Sequence, residues 1–497
     1  MKIFSTPSAA VMLLVLGATL EPSCADYSVT VAAKTQLLSN WEGWGTSLAW
    51  WANVFGDRAD IADMLFTSKD AVQVPSAGSL PGLNFNIARY NIGGSGKNVI
   101  NDNGKKVTMQ ASSKMPAFRL IDSFWLDWFN KDPASGSWNW KVDAKQRAML
   151  QAAKQRGANL FEAFSNSPPW WMNSNHAVAG GKKGTDDNLQ SWNQEDFALY
   201  LSAVVKHAKD NWGINFQYVE PFNEPISTWW TFPGTQEGCH FSTEAQKAVL
   251  LHLRKQLDKH GLQGVAITAS DENTVDQALS TLTALSATPA VTKTFTKVNT
   301  HGYVGHAAYR GKNRIPLLSL TKKLGMKLWD SEYGEADASG VTMAESIGLD
   351  INEMGVSAFV YWQALDSGGW GLLQSNPGDN WMGTPNAKYY VMAQYSRHIR
   401  KGMQIISSND KKTVVAYDPT RKTLVLATVN VGAAQSITFD LSSYKSVAAG
   451  TATVWTTETR EGGARYKKST LAVNGKSVKV AFPAASVVTI EISGVAL

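Results

Sequence analysis

Apolar residues along this chain change rhythm near residue 400. From about residue 143 they recur every three to four positions, break at a glycine, and then crowd into short continuous runs; after residue 401 they alternate singly with polar residues. The first rhythm is that of amphipathic helices followed by buried strands, and the second is that of half-buried antiparallel strands.

A helix over 143–156 stops at Gly157 and precedes a strand at 159–164. Asn193 stands where it would cap a helix carrying Phe197, Leu201, Val204 and Ala208 on one face as far as Gly213, and the strand at 217–220 follows. Ser242 and Thr243 open a third helix, with Val249, Leu250, Leu253 and Leu257 inward, before a strand at 264–269. The unit recurs at 274–285 with 297–301, at 317–324 with 327–332, and at 343–354 with 358–362. Two earlier runs, 43–50 and 85–90, bring the strands to eight. Eight strands alternating with helices across 41–400 predict an α/β fold, a (β/α)8 TIM barrel, with a doubly wound open sheet as the alternative. Residues 401–497 predict a flanking antiparallel β-sandwich, which the segment 26–40, through its Tyr-Ser-Val-Thr-Val, would join as an edge strand. Asn474-Gly475 is a hairpin signal between strands of that sandwich.

The first 25 residues read as a secretory signal peptide, with Lys2, an apolar run over 9–20 and small residues Ser23 and Ala25 before the cut. That run is too short to cross a bilayer, so a secreted, extracellular protein is expected, the alternative being a buried N-terminal helix. Removing it leaves Cys239 as the single cysteine and no internal disulfide.

With 497 residues, 44% hydrophobic and 18% charged, the chain is neither a disulfide scaffold nor a disordered one. Its net charge of +6 is spread rather than blocked, which argues against a nucleic-acid partner; no membrane partner is expected, and a monomer is. Tryptophan is the outlier: 18 of 19 lie between Trp41 and Trp381 and only Trp455 lies in the sandwich. The sandwich therefore reads as a buttress rather than a binding module.

Barrel enzymes carry their chemistry at the C-terminal ends of strands. Here those ends offer Arg89, then Asn166-Ser167-Pro168-Pro169-Trp170-Trp171, Asn223-Glu224-Pro225, His301 with Tyr303, Asp330-Ser331-Glu332-Tyr333, and Trp362. Glu224 and Glu332 stand three strands apart and suit a glycoside-cleaving pair, one protonated to serve the leaving oxygen and one ionised to attack or activate water. Glu224, next to Asn223, suits the acid; Glu332, within reach of Arg89 and Tyr303, suits the nucleophile. Glu162, Glu220, Asp271 and Glu272 are rivals, the first two falling within strands as candidate structural acids. Pyranose faces pack on indole, so Trp44, Trp170, Trp171, Trp229, Trp230, Trp370 and Trp381 are candidate sugar platforms, whereas Trp125, Trp128 and Trp329 read as core, the first two at helical spacing. The Gly-Gly-Ser-Gly-Lys at 93–97 lacks the spacing and the hydroxyl of a phosphate loop, Cys239-His240 has no second ligand cluster, and no Gly-x-Ser-x-Gly elbow occurs. No cofactor and no metal are expected.

Asn223-Glu224-Pro225, Glu332, the Arg-Tyr-Asn-Ile-Gly-Gly of strand two, the His-Gly-Tyr after strand six and the Tyr-Trp-Gln of strand eight resemble the clan of retaining barrel glycosidases. The β-domain built from both chain ends is similar to that of glycoside hydrolase family 30, and the Ser-Asn-Ser-Pro-Pro-Trp-Trp-Met segment most resembles its fungal secreted endo-β-1,6-galactanases. The resemblance implies a retaining endo-glycosidase with a β-1,6-galactan substrate, such as arabinogalactan side chains. In it Glu224 is acid/base, Glu332 is nucleophile, and Asn223, Arg89, His301, Tyr303 and Trp362 support them or touch the sugar; Trp170 and Trp44 are counted with the substrate contacts as sugar platforms, on their position. A β-1,6-glucanase, a glucuronoxylanase and a catalytically inactive carbohydrate-binding protein are the alternatives.

Overall fold

The computed structural model describes residues 27–303 and 312–497, so the leader expected at 1–25 lies outside the described residues. Eight strands close into a parallel barrel in chain order: Gly43–Ser47, Ile87–Asn91, Leu160–Phe164, Tyr218–Glu220, Ala266–Glu272, Phe295–His301, Lys327–Tyr333 and Ala358–Gln363. The eighth pairs back onto the first, Ala358 opposite Gly43. Helices lie where the periodicity places them, at Ala144–Gln155, Gln194–His207, Thr243–Lys259, Val275–Ser286, Arg314–Leu324 and Val341–Leu349. Val249, Leu250, Leu253 and Leu257 are all fully buried, each worth about 1.5–3 kcal/mol of apolar burial. Ser242 and Thr274 cap their helices by accepting from the Ala245 and Gln277 amides at 3.3 and 3.2 Å. Asn193 does not cap; its side-chain amide donates to the Met172 carbonyl and to Gln190, tying the helix start to the loop after strand three.

The barrel interior is stratified. At its N-terminal end Ile87, Leu160, Tyr218, Trp329, Ala358 and Val360 form an apolar plug, with the Glu42 carboxylate accepting from Lys327, Trp329 and Ser357 at 2.7, 2.8 and 2.7 Å. Above it, inward residues two positions further along their strands are charged: Glu162 meets Arg89 at 2.8 Å and Lys297 at 2.6 Å, all three fully buried. The rivals Glu162 and Glu220 are thus buried structural acids. Both layers follow from strict alternation, inward at Ile87 and Arg89 and at Leu160 and Glu162.

Alternation then breaks where function begins. Thr300 pairs with Asp330 but His301 pairs with Glu332, so Ser331 is an extra residue in strand seven. Ser270 pairs with Asn299 and Glu272 with Thr300, leaving Asp271 as the extra residue of strand five, with φ of 60°. Each bulge re-aims the side chains beyond it, and Glu332, which simple alternation would turn outward, faces the barrel mouth.

The β-domain is a nine-stranded arrangement in which Tyr27–Leu38 lies inside, antiparallel to Gln404–Ser408 and parallel to Gln435–Asp440. It is not the edge strand expected. Nor is Asn474-Gly475 a hairpin: Lys467–Val473 pairs with Gly450–Glu458 and Ser477–Phe482 with Gln435–Asp440, so the turn joins the two outermost strands. Val415, Tyr417, Leu424 and Leu426 pack with Val29, Val31 and Phe439 in the sandwich core. Val414, Ala416, Val425 and Ala427, on the opposite face, continue the barrel's own core. Burial on both faces explains why these strands are apolar throughout, and it makes the sandwich a fixed buttress.

Candidate active site

Glu224 follows strand four in a left-handed backbone conformation, φ 49°, a geometry sparsely populated by non-glycine residues and held here by its surroundings. Its amide donates to the Asp271 carbonyl at 2.8 Å, and its own carbonyl accepts from the Trp230 indole at 2.9 Å. The side-chain Oε1 accepts from Asn273 Nδ2 at 2.7 Å and lies 3.2 Å from His301 Nδ1. Across the mouth, Glu332 Oε1 accepts from the Tyr303 hydroxyl at 2.5 Å and Oε2 from Arg89 Nη1 at 3.1 Å. One oxygen of Glu224, one oxygen of Glu332 and a His301 nitrogen all lie within 4.8 Å of one another.

Arg89 and His301 are fully buried and touch the carboxylates, which gives them the supporting place expected for them and not that of sugar contacts. The Arg89 guanidinium, 4.3 Å above the Phe164 ring, reaches Glu162, Asp271 and Glu332 together. Burial disfavours its charge, but Asp271, Glu162 and Glu332 outweigh that and raise its pKa. Burial likewise works against the His301 charge, and the Glu332 and Asp271 carboxylates overcome it, raising its pKa. Burial opposes the Asp271 charge too, yet Arg89 and His301 keep its carboxyl well below the usual range. For Glu332 burial wins: its pKa is raised although His301 and Arg89 pull it down. Both its oxygens face donors, so the ionised form is the one this geometry serves. Glu224, His301 and Glu332 have the mutual spacing of metal ligands, but the Arg89 guanidinium sits against Glu332 and the neighbouring carboxylates favour the charged form of His301. Protein cations balance the carboxylates, and the cluster reads as proton-handling apparatus.

The two carboxylates open into a cleft of about 680 Å³ lined by Asn223, Tyr303, Trp362, Trp50, Trp229, Trp230 and Trp370, with Lys114 and Arg119 also on its walls. Among the described residues Asn223 Oδ1 is buried with no partner, an acceptor available to a sugar hydroxyl. Trp362 meets Trp50 edge-on at 5.1 Å, and Arg119 lies over the Trp50 ring at 4.8 Å. Trp229 and Trp370 are 50% and 40% exposed, the indole faces most open to a ligand here.

Trp44 and Trp170 are not sugar contacts. Trp44 sits on the outward face of strand one, fully buried against Trp41, Phe359 and Tyr395, its indole donating to the Ile399 carbonyl at 2.7 Å. Trp170 is 1% exposed, packed edge-on to His176. Trp171 is buried too, and Trp381, though exposed, is not among the cleft-lining residues. Trp125 is core as expected, stacked on Trp138 at 4.8 Å, but no helix carries it or the partly buried Trp128. Trp329 is buried at the barrel base, as its position in strand seven predicts. Trp50, Lys114, Arg119 and Asn273 are among the cleft residues that the sequence pattern does not single out. Trp50 stands just past the end of strand one, the placement that identified the other candidates; nothing in the pattern marks Asn273.

A model of O-glycosyl hydrolase family 30 matches residues 28–313. The chain is 45% identical over 477 residues to an endo-β-1,6-galactanase of Hypocrea rufa, covering 95% of this chain and 96% of that one. Among solved structures, a conserved exported protein of Bacteroides fragilis superposes with a TM-score of 0.74 at 20% identity, over 94% of this chain and all of the other. The catalytic domain of a family 30 xylanase C from Talaromyces cellulolyticus superposes with a TM-score of 0.69 at 19% identity, over 94% of this chain and 99% of the other. These structural likenesses carry the fold.

Proposed function

The chain belongs to O-glycosyl hydrolase family 30 and is a glycoside hydrolase; from that premise we propose a secreted, retaining endo-enzyme that cuts β-1,6-linked galactan, such as arabinogalactan side chains. The observation that carries the reaction type is the approach of one oxygen of Glu224 to one oxygen of Glu332 within 4.8 Å, which fits direct attack by a carboxylate better than the wider spacing that accommodates a water behind the sugar. The substrate is supported by likeness to the Hypocrea galactanase along nearly all of both chains. Secretion is supported by the leader-like sequence over 1–25.

In the first step the Glu332 carboxylate attacks the anomeric carbon while Glu224 gives its proton to O6 of the departing galactose. The C1–O6 bond breaks and a galactosyl ester on Glu332 forms. A primary alkoxide is a poor leaving group, so proton delivery matters for this linkage. In the second step Glu224 takes a proton from water, the hydroxyl attacks C1 from the face O6 left, and the ester opens to return Glu332. Arg89 and Tyr303 steady the negative charge that reappears on Glu332.

The test is a product profile on β-1,6-galactan, β-1,6-glucan and glucuronoxylan side by side, with the first-formed anomer read by NMR. Galactan oligosaccharides born as the β-anomer are expected. Cleavage of another polymer alone overturns the substrate, α-anomer overturns retention, and no cleavage leaves a sugar-binding protein.

A further inference from the structure

Three consecutive residues, the last two of the fifth barrel strand and the one just past it, each hold a different part of the Glu224 apparatus. The Asp271 carbonyl accepts from the Glu224 amide at 2.8 Å, and its carboxylate lies 3.2 Å from His301 Nε2. The Glu272 carboxyl accepts from the Ile226 amide at 3.4 Å and from the Thr281 hydroxyl at 2.7 Å, clamping the loop two residues past Glu224. Asn273 Nδ2 donates to Glu224 Oε1 at 2.7 Å. The backbone of Asn273 is pinned on both sides, by the bulge at Asp271 and by Thr274, which caps the helix Val275–Ser286.

Glu224 Oε1 is therefore served twice, by Asn273 and by His301 at 3.2 Å, while among the described residues no donor reaches Oε2. The two donors differ. His301 Nδ1 is also 3.5 Å from Glu332 Oε1, so it is shared between the two carboxyls and cannot single out one oxygen of Glu224. The Asn273 amide bonds Glu224 alone. A carboxylic acid whose one oxygen accepts an N–H keeps its proton on the other, because a proton on the first would meet the donor head-on.

We propose that Asn273 is a positioning residue that selects which oxygen of Glu224 carries the catalytic proton, reserving Oε1 for acceptance and presenting Oε2–H to the glycosidic oxygen. It acts through Glu224 and rests on the reading of that residue as the acid. The other titratable groups facing Glu224 are His301 from strand six with Tyr303 beyond it, Glu332 from strand seven, and Glu272 from strand five.

The experiment compares kcat/KM of wild type, Asn273→Ala and Asn273→Asp on the polymer that the wild-type enzyme hydrolyses and on an activated aryl β-glycoside of the same sugar. On the polymer Asn273→Ala should lose about 10–100-fold, part of what a general acid contributes, and on the aryl glycoside less than about 3-fold, because that leaving group needs no proton. The alkaline limb of the polymer profile should move to higher pH, since a donor that favours the carboxylate is gone, and further still in Asn273→Asp, where two carboxyls share a proton. In a Glu224→Gln background the same alanine change should add nothing. Equal losses on both substrates, an unmoved limb, or a further loss in the Glu224→Gln background would each overturn the assignment. Wild-type inactivity on β-1,6-galactan would overturn the substrate reading alone, because the comparison then runs on whichever polymer is cut.

Discussion

Replacing Tyr303 by Phe removes one oxygen and leaves the ring, so it isolates a single hydrogen bond. That oxygen lies 2.5 Å from Glu332 Oε1 and donates to a buried carboxylate. Without it, among the described residues, Oε1 keeps only the His301 nitrogen at 3.5 Å, and Oε2 keeps Arg89 at 3.1 Å. A hydrogen bond to a charged group is worth about 1.5–3 kcal/mol, which corresponds to about 10–150-fold in rate and about 1–2 units on the ionisation of Glu332. Burial already raises Glu332, and losing a donor to its anion raises it further. Since the attacking form is ionised, activity disappears as pH falls through that value, and the acid limb of the kcat/KM profile must move upward in the variant. The assay is reducing-sugar release from galactan across pH, with circular dichroism to show an unchanged fold. An unmoved acid limb, or one that shifts downward, would refute the assignment of Tyr303 as the hydroxyl that sustains the nucleophile's charge.

Other consequences can be measured in the same protein. Glu332→Gln should bring turnover to background, and residual cleavage above about 1% of wild type would remove it as nucleophile. Arg89→Leu strips the shared cation from Glu162, Asp271 and Glu332 and should cost about 3–5 kcal/mol in urea unfolding, as expected when one member of a buried ionic cluster is removed. Glu42→Gln tests the barrel base: burial would raise this carboxyl, but Lys327, Trp329 and Ser357 lower it, so its charge stabilises the fold above the unfolded value and the benefit fades as pH falls through the folded one. The variant's deficit in urea midpoint should thus be full at pH 7 and vanish in acid; a deficit independent of pH would contradict it. Trp229→Ala and Trp370→Ala should raise KM on polymer about 5–30-fold with kcat nearly intact, as for uniform binding, and a fall in kcat alone would argue against a platform role.

Periodicity made the barrel legible because each helix buries one face and each strand is covered by its helix; the buried quartet of Thr243–Lys259 is visible in the sequence as plainly as in the structure. Glu224 was legible from its place after a short strand. Glu332 was named for its place near a strand end, but its inward aim depends on the extra residue at Ser331, which no apolar pattern encodes. Tryptophan shows the limit best. Trp44 and Trp50 are six residues apart and chemically alike, yet one lies on the outer face of a strand and the other beyond its end at the mouth. Asn273 reaches Glu224 through the left-handed turn at Asp271, a backbone event invisible in hydrophobicity. Strand order in the sandwich was illegible for a related reason: alternation marks which face of a strand is buried and is silent about its neighbours.

The placement of Tyr27–Leu38 between two strands from the far end of the chain sets a timetable for folding. This segment leaves the ribosome well before its partners Gln404–Ser408 and Gln435–Asp440, which follow some 365–410 residues later. At synthesis rates of about 5–20 residues per second it waits about 20–80 s with both edges unpaired. Throughout that wait Val29 and Val31 are exposed apolar side chains on an open strand, a standing invitation to wrong pairing. The sandwich is complete only when Tyr27–Leu38 meets Gln404–Ser408 and Gln435–Asp440. A chain cut short of residue 404 would carry a permanently orphaned strand at its start.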